Sequence, residues 1–269
     1  MRRLRGFARA SHAPPTMAVT AVIVAFAWLL GWRDWPLAGV GTAVLIGQLS
    51  VGWSNDAFDS GLDARAGRSS KPTVAGDVGP RALWIGATIA LALSAVLSWT
   101  VAGALGGSFH VFALAVAWLY NVKLSRTAWS WLPYALAFGS LPLFLTYGLN
   151  GEPPPVWMVP AFALTAISAH LANALPDLER DRAAGIGGAA VRLGTRRTVV
   201  LGWVLLALGT TIVAIALARA TLAVAIVMVV AYVSIALCTR LTHRPSPFYA
   251  LLSIVVIDVA AIVIATQRL

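Results

Sequence analysis

Long apolar stretches recur along the chain, separated by short runs of polar, glycine and proline residues. They cover residues 16–32, 37–55, 82–103, 108–122, 128–148, 156–175, 198–218, 221–239 and 247–266. A helix needs about 20 apolar residues to cross the hydrocarbon core of a bilayer, and all but the short fourth stretch approach that length. None of them alternates apolar with polar residues, so a barrel of strands is excluded and helices are predicted. The expected fold is an all-α integral membrane protein of about nine transmembrane helices, a single domain over residues 1–269.

Composition agrees. Hydrophobic residues make up 59% of the chain and charged residues 11%, against roughly 25% charged in a soluble domain. The basic start, Met1-Arg-Arg-Leu-Arg, imitates a signal peptide. No small-residue cleavage pattern follows, so an uncleaved first helix is expected. Cys238 is the only cysteine, which rules out an intramolecular disulfide framework.

The net charge of +10 is explained by orientation in a membrane, not by nucleic acid. If the N-terminus is cytoplasmic and nine helices alternate, the inside segments carry 17 of the 20 Lys and Arg residues. Only Arg33, Arg219 and Arg268 fall outside. Such a bias follows the positive-inside rule and places basic side chains against lipid headgroups. The expected location is a membrane, with the N-terminus on its cytoplasmic side. The inside connections after the second and sixth helices are long and the outside ones minimal, so the chemistry is expected at the cytoplasmic face.

Six of the ten acidic residues fall in two places: Asp56, Asp59 and Asp63 at the end of the second stretch, and Asp177, Glu179 and Asp181 at the end of the sixth. At about 100° per helical residue, Asp56, Asp59 and Asp63 fall within about 60° of one another, with Asn55 beside them. Asp177 and Asp181 share a stripe with Asn173, while Glu179 points elsewhere and Pro176 disturbs the helix. Like charges grouped beside a membrane are costly unless cations lie between them. Ligands made only of oxygen suit Mg²⁺, which binds one or two carboxylates together with substrate phosphate oxygens. Asn55, Asp56, Asp59, Asp63, Asn173, Asp177 and Asp181 are the candidate metal ligands. Arg65, Arg68, Lys71, Lys123, Arg126 and Arg182 are the candidate diphosphate contacts. The bland alternative for either cluster is a solvated helix end. Two clusters sharing a DxxxD core and a flanking Asn at one membrane face weigh against it.

Asn55-Asp56-x-x-Asp59-x-x-x-Asp63 resembles the first signature of the UbiA superfamily of intramembrane prenyltransferases, and Asp177-x-x-x-Asp181 its second. Lys71-Pro72-Thr-Val-Ala-Gly76 is similar to the stretch after the first motif, and Tyr120 to Arg126 to the loop between the fourth and fifth helices. Asn173 to Gly194 is similar to the menaquinone branch, except that Ile186-Gly187-Gly188 stand where that branch has a Lys and a Thr. The resemblance implies a helical barrel with a central cavity, two Mg²⁺ ions (Mn²⁺ substituting) and a polyprenyl diphosphate. The five aspartates would be catalytic through metal-assisted ionisation of the diphosphate, and a small, aromatic acceptor would capture the allylic cation. Terpene cyclisation and transfer of a sugar phosphate to a prenyl phosphate use related chemistry and stay open. A cation transporter is disfavoured, because transporter charges lie near the midplane and these lie at helix ends.

Several polar residues have two readings. His170, one heptad before Asp177, either packs against a neighbouring helix or contacts the acceptor. Gln48, one heptad before Asn55, has the same status, and Tyr120 is a further cavity candidate. Asp258 is an ionisable group inside the last stretch, either functional or hydrogen-bonded between helices. Trp53 and Tyr147 are candidates for cation–π contact with a carbocation. His12 and Thr16 are the next candidates for reading the acceptor.

Overall fold

A computed structural model of the protein describes residues 2–183 and 185–218. The expected eighth and ninth spans, with Cys238 and Asp258, lie outside the described residues. Within them the structure is helical, with no strand. Among the described residues, six helical segments are long and apolar enough to cross a membrane.

A short helix α1 (Arg2–Ala10) precedes the first span, α2 (Ala13–Leu30). The two are joined through His12, which adopts the left-handed conformation with φ 49°. Helix α3 (Asp34–Arg65) carries the first acidic motif. The expected span ended at residue 55, but the helix continues to Arg65, so Asp56, Asp59 and Asp63 keep the regular helical spacing assumed for them. Helix α4 (Pro80–Leu119) runs into one π-helical turn at Tyr120–Leu124.

The third expected span lies in α4, and the fourth in α4 and the π turn that follows it; α4 is not straight. Gly103 has φ 66° and ψ −177°, a backbone conformation essentially restricted to glycine. Ser98 Oγ and His110 Nδ1 lie 2.7 Å apart, although the residues are twelve apart in sequence. Twelve residues of straight helix would span about 18 Å, so the chain reverses at Gly103 into two antiparallel arms.

The fifth expected span, 128–148, is broken into α5 (Leu132–Gly139) and α6 (Leu141–Asn150). The break falls at Ser140, just ahead of Pro142, which has no N–H to continue the helical ladder. The sixth span is α7 (Met158–Ala174), followed by a 3₁₀ turn over Leu175–Asp177 and the short α8 (Leu178–Ala183). Pro176 sits in that turn, so the second acidic motif is not on one continuous α-helix. Helix α9 (Ala189–Leu193) leads into α10 (Thr195–Ala218).

The described residues divide into two compact units, one formed by 2–125 with 144–152 and the other by 126–143 with the described chain from Pro153 onward. In the first unit α3 packs along α4; in the second α7 packs against α5 and α10. Each unit carries one of the two acidic motifs.

Candidate active site

The first motif is built on the last three turns of α3. Asp56 and Asp63 are buried, with side-chain exposures of 1% and 2%. Two carboxylates withdrawn from water need partners, and the loop after α3 provides them. Lys71 Nζ donates to Asp56 Oδ1 at 2.7 Å, and Arg68 Nη1 donates to Asp63 Oδ1 at 3.1 Å. The αL turn at His12 brings that imidazole to the same carboxylate, with Nε2 3.0 Å from Asp56 Oδ1.

The second oxygens of these carboxylates, Asp56 Oδ2 and Asp63 Oδ2, are buried with no hydrogen-bond partner among the described residues. A buried carboxylate oxygen left unengaged is costly, and it is a donor atom suited to a hard cation. No three His, Cys, Asp or Glu side chains converge into a ready-made metal shell among the described residues. Mg²⁺ completes its octahedron with water and substrate phosphate, and the two unengaged carboxylate oxygens are donors of the kind it takes. The donor set therefore fits Mg²⁺.

Asn55 projects beside the carboxylates. Its Nδ2 donates to Asn121 Oδ1 at 3.3 Å and lies 3.5 Å from Asp59 Oδ2. Asn121 was not singled out in the sequence. It lies within the Tyr120–Arg126 stretch, on the π turn that ends α4, and is buried. Its own Nδ2 donates to Val51 O and Ser54 Oγ, each at 2.9 Å. The π turn thus locks Asn121 onto α3 and leaves its carbonyl to orient Asn55; such turns often mark functional sites. Tyr120 is half-buried, while Lys123 and Arg65 are exposed. Gln48 is half-buried two turns before Asn55.

The second motif is more open. Asn173 is exposed at the end of α7. Asp177, on the 3₁₀ turn, keeps 50% of its side chain exposed and accepts from Arg180 Nη1 at 3.0 Å. Asp181 is partly buried on α8, and Arg126 and Arg182 are exposed. Upstream, His170 is buried with Nε2 2.9 Å from Ser130 Oγ, and Ser130 Oγ also accepts from the Ala189 N–H at 3.0 Å. The ring of Tyr134 packs 4.6 Å from it. Ser130 Oγ therefore joins the His170 ring to the Ala189 backbone. Trp53 is likewise engaged, its Nε1 donating to Phe7 O at 3.0 Å. Tyr147 stacks on Phe109 at 5.6 Å.

Comparison with known proteins gives a consistent result. The UbiA prenyltransferase family profile matches residues 15–256. A UbiA homologue from Archaeoglobus fulgidus, solved with GPP and Mg²⁺, is 17% identical; the match covers 98% of this chain and 99% of that one with a TM-score of 0.74. The apo structure of a homologue from Aeropyrum pernix K1 is 16% identical, covering 92% and 97% with a TM-score of 0.73. A digeranylgeranylglyceryl phosphate synthase structure is 14% identical, covering 100% of both chains with a TM-score of 0.66. No curated protein sequence matches the chain.

Proposed function

This chain belongs to the UbiA prenyltransferase family, and we propose that it transfers a polyprenyl group from an allylic diphosphate to a small, aromatic acceptor at the cytoplasmic face of a bacterial plasma membrane. The observation that carries the reading is the state of Asp56 and Asp63, each buried, with one oxygen paired to a cation and the other unengaged. The Archaeoglobus fulgidus homologue solved with GPP and Mg²⁺ supports the choice of ligand.

Asp56, Asp59 and Asp63, with Asn55, are the ligands assigned to Mg²⁺ from the first motif; Asp177 and Asp181, with Asn173, are those from the second. Bound Mg²⁺ supplies positive charge to the departing diphosphate oxygens, the Lewis-acid role of such ions. Lys71 and Arg68 change partners as substrate arrives, leaving Asp56 and Asp63 to the metal and donating to diphosphate oxygens instead. Every buried charge stays paired through that exchange, which limits the desolvation cost. Arg65, Lys123, Arg126 and Arg182 add donors to the same leaving group. When the allylic C–O bond breaks, its electron pair leaves with the diphosphate. A ring carbon of the acceptor then bonds to the allylic carbon, and the ring loses a proton. Preorganised charge on the leaving group is the largest catalytic contribution expected, and exclusion of water prevents hydrolysis of the cation.

Product analysis tests the reading. The purified protein is incubated with allylic diphosphates of several chain lengths, with and without aromatic acceptors, and the products are resolved by mass. A prenylated acceptor is the expected result. A cyclic hydrocarbon formed without acceptor, or a product retaining phosphate, would replace this reading with cyclisation or with transfer of a phosphate-bearing group.

A further inference from the structure

Four of the ten acidic residues belong to neither motif, and of these Asp77 lies in the loop between α3 and α4. It is held by two arginines of α1. Arg9 Nη1 donates to Asp77 Oδ2 and Arg2 Nε to Asp77 Oδ1, the latter at 3.4 Å. The same arginines also donate to the loop backbone, Arg9 to Ser70 O and Arg2 to Ala75 O. Beneath these contacts α1 is pressed onto the loop. A Cβ added at Gly6 would lie 2.7 Å from Val78 Cβ and 3.0 Å from the Asp77 carbonyl carbon. Ala10, Ala57, Val78 and Leu83 form one buried cluster with Phe7 and Trp53 against it.

This loop also carries Arg68 and Lys71, the partners of Asp63 and Asp56. It has little regular structure of its own, being a series of turns from Ala66 to Gly79. Its position is set at one end by the two ion pairs to α3 and at the other by α1. We infer that Asp77 is a positioning residue: through Arg2 and Arg9 it latches the loop to α1 and so holds Lys71 and Arg68 where they meet an allylic diphosphate. The inference rests on the function proposed above. Without the latch, the loop would keep the packing of Val78 against Ala10 but lose the ion pairs that fix it to α1 beside Lys71 and Arg68. Affinity would then fall with the fraction of molecules whose loop stays in place.

The test uses the full-length protein in detergent, a thiolo analogue of geranyl diphosphate as probe with Mg²⁺, and four variants: Asp77→Asn, Arg9→Gln, the double variant and Asp77→Glu. Affinity is read by calorimetry, and amide exchange over residues 66–79 by mass spectrometry. Asp77→Asn and Arg9→Gln are each expected to speed exchange in the loop and weaken binding about tenfold. The double variant should lose less affinity than the two single losses combined, because both remove the Arg9–Asp77 pair while the Arg2–Asp77 and Arg9–Ser70 contacts are each lost in one variant. Asp77→Glu should restore most of the affinity. Faster exchange with parental affinity would reduce Asp77 to a structural contact, and unchanged exchange would mean there is no latch; either overturns the inference. A parent protein that fails to bind the probe in Mg²⁺ would instead overturn the proposed function, and this inference with it.

Discussion

Gln48 and His170 stood alike in the sequence, each one heptad before an Asn or Asp of a motif; in the structure Gln48 is half-buried and His170 buried. His170 is engaged by Ser130 and packed on Tyr134, so His170→Ala is expected to destabilise the protein by about 1–3 kcal/mol, read as a lower melting temperature in detergent. Gln48→Ala is expected to leave binding of the allylic diphosphate nearly intact and to weaken acceptor coupling by a similar amount, about 1–3 kcal/mol. Measuring diphosphate release separately from coupling checks this, and parental coupling would move acceptor recognition elsewhere, His12 and Thr16 being next. At this scale the sequence made the aspartates legible, because three carboxylates at helical spacing have few uses beside a membrane. Partners were harder to read. Lys71 and Arg68 stood out as cations beside the motif, but their pairing with Asp56 and Asp63 depends on how the loop folds back. Asn121 could not be found by charge or periodicity at all. Its position is fixed by one π turn, and a single residue's shift in helix register leaves no trace in the hydrophobic pattern.

The elements were legible where hydrophobicity alone decides them and less so where glycine and proline redirect the backbone. The first seven expected stretches all fall in helical segments, including two that share α4. Gly103, at the boundary between those two, permits the reversal. Gly103→Val forces a β-branched side chain into a conformation that costs about 1–3 kcal/mol, and thermal denaturation should show the loss. Gly61, on a regular turn of α3 with nothing within 4 Å of an added Cβ, is the control. Gly61→Ala should be neutral or stabilising by up to about 1 kcal/mol. Equal melting temperatures for the parent and Gly103→Val would contradict the reversal. Pro176 announced the disturbance of the second motif, whereas the break at Ser140 passed unnoticed because an apolar run reads as continuous whether or not its backbone is. Helix α1 was also missed, since Arg2-Arg-Leu-Arg has the composition of a tail. Its helical form is supported by contacts of Gly6 and Ala10 with a loop some 70 residues away in sequence.

For the whole molecule, the distribution of basic residues predicts a cytoplasmic N-terminus with both acidic motifs on that side. A cysteine placed at Glu152 should react with an impermeant reagent added outside cells, in a background where Cys238 is replaced. One placed at Ser69 should not react, and the reverse pattern would invert the orientation. The fold class was open to a sequence reading because a bilayer admits few architectures. The acceptor was not, since every allylic donor presents the same diphosphate to the acidic motifs while acceptors differ in shape and hydrogen bonding. The central claim is that oxygen ligands on α3 and around Pro176 ionise an allylic diphosphate with Mg²⁺. Release of diphosphate from geranyl diphosphate by the purified protein tests it most directly. Release is expected to stop in excess EDTA, to return with added Mg²⁺ and to be absent in Asp59→Asn and Asp177→Asn variants that remain folded. Undiminished release in excess EDTA would contradict it.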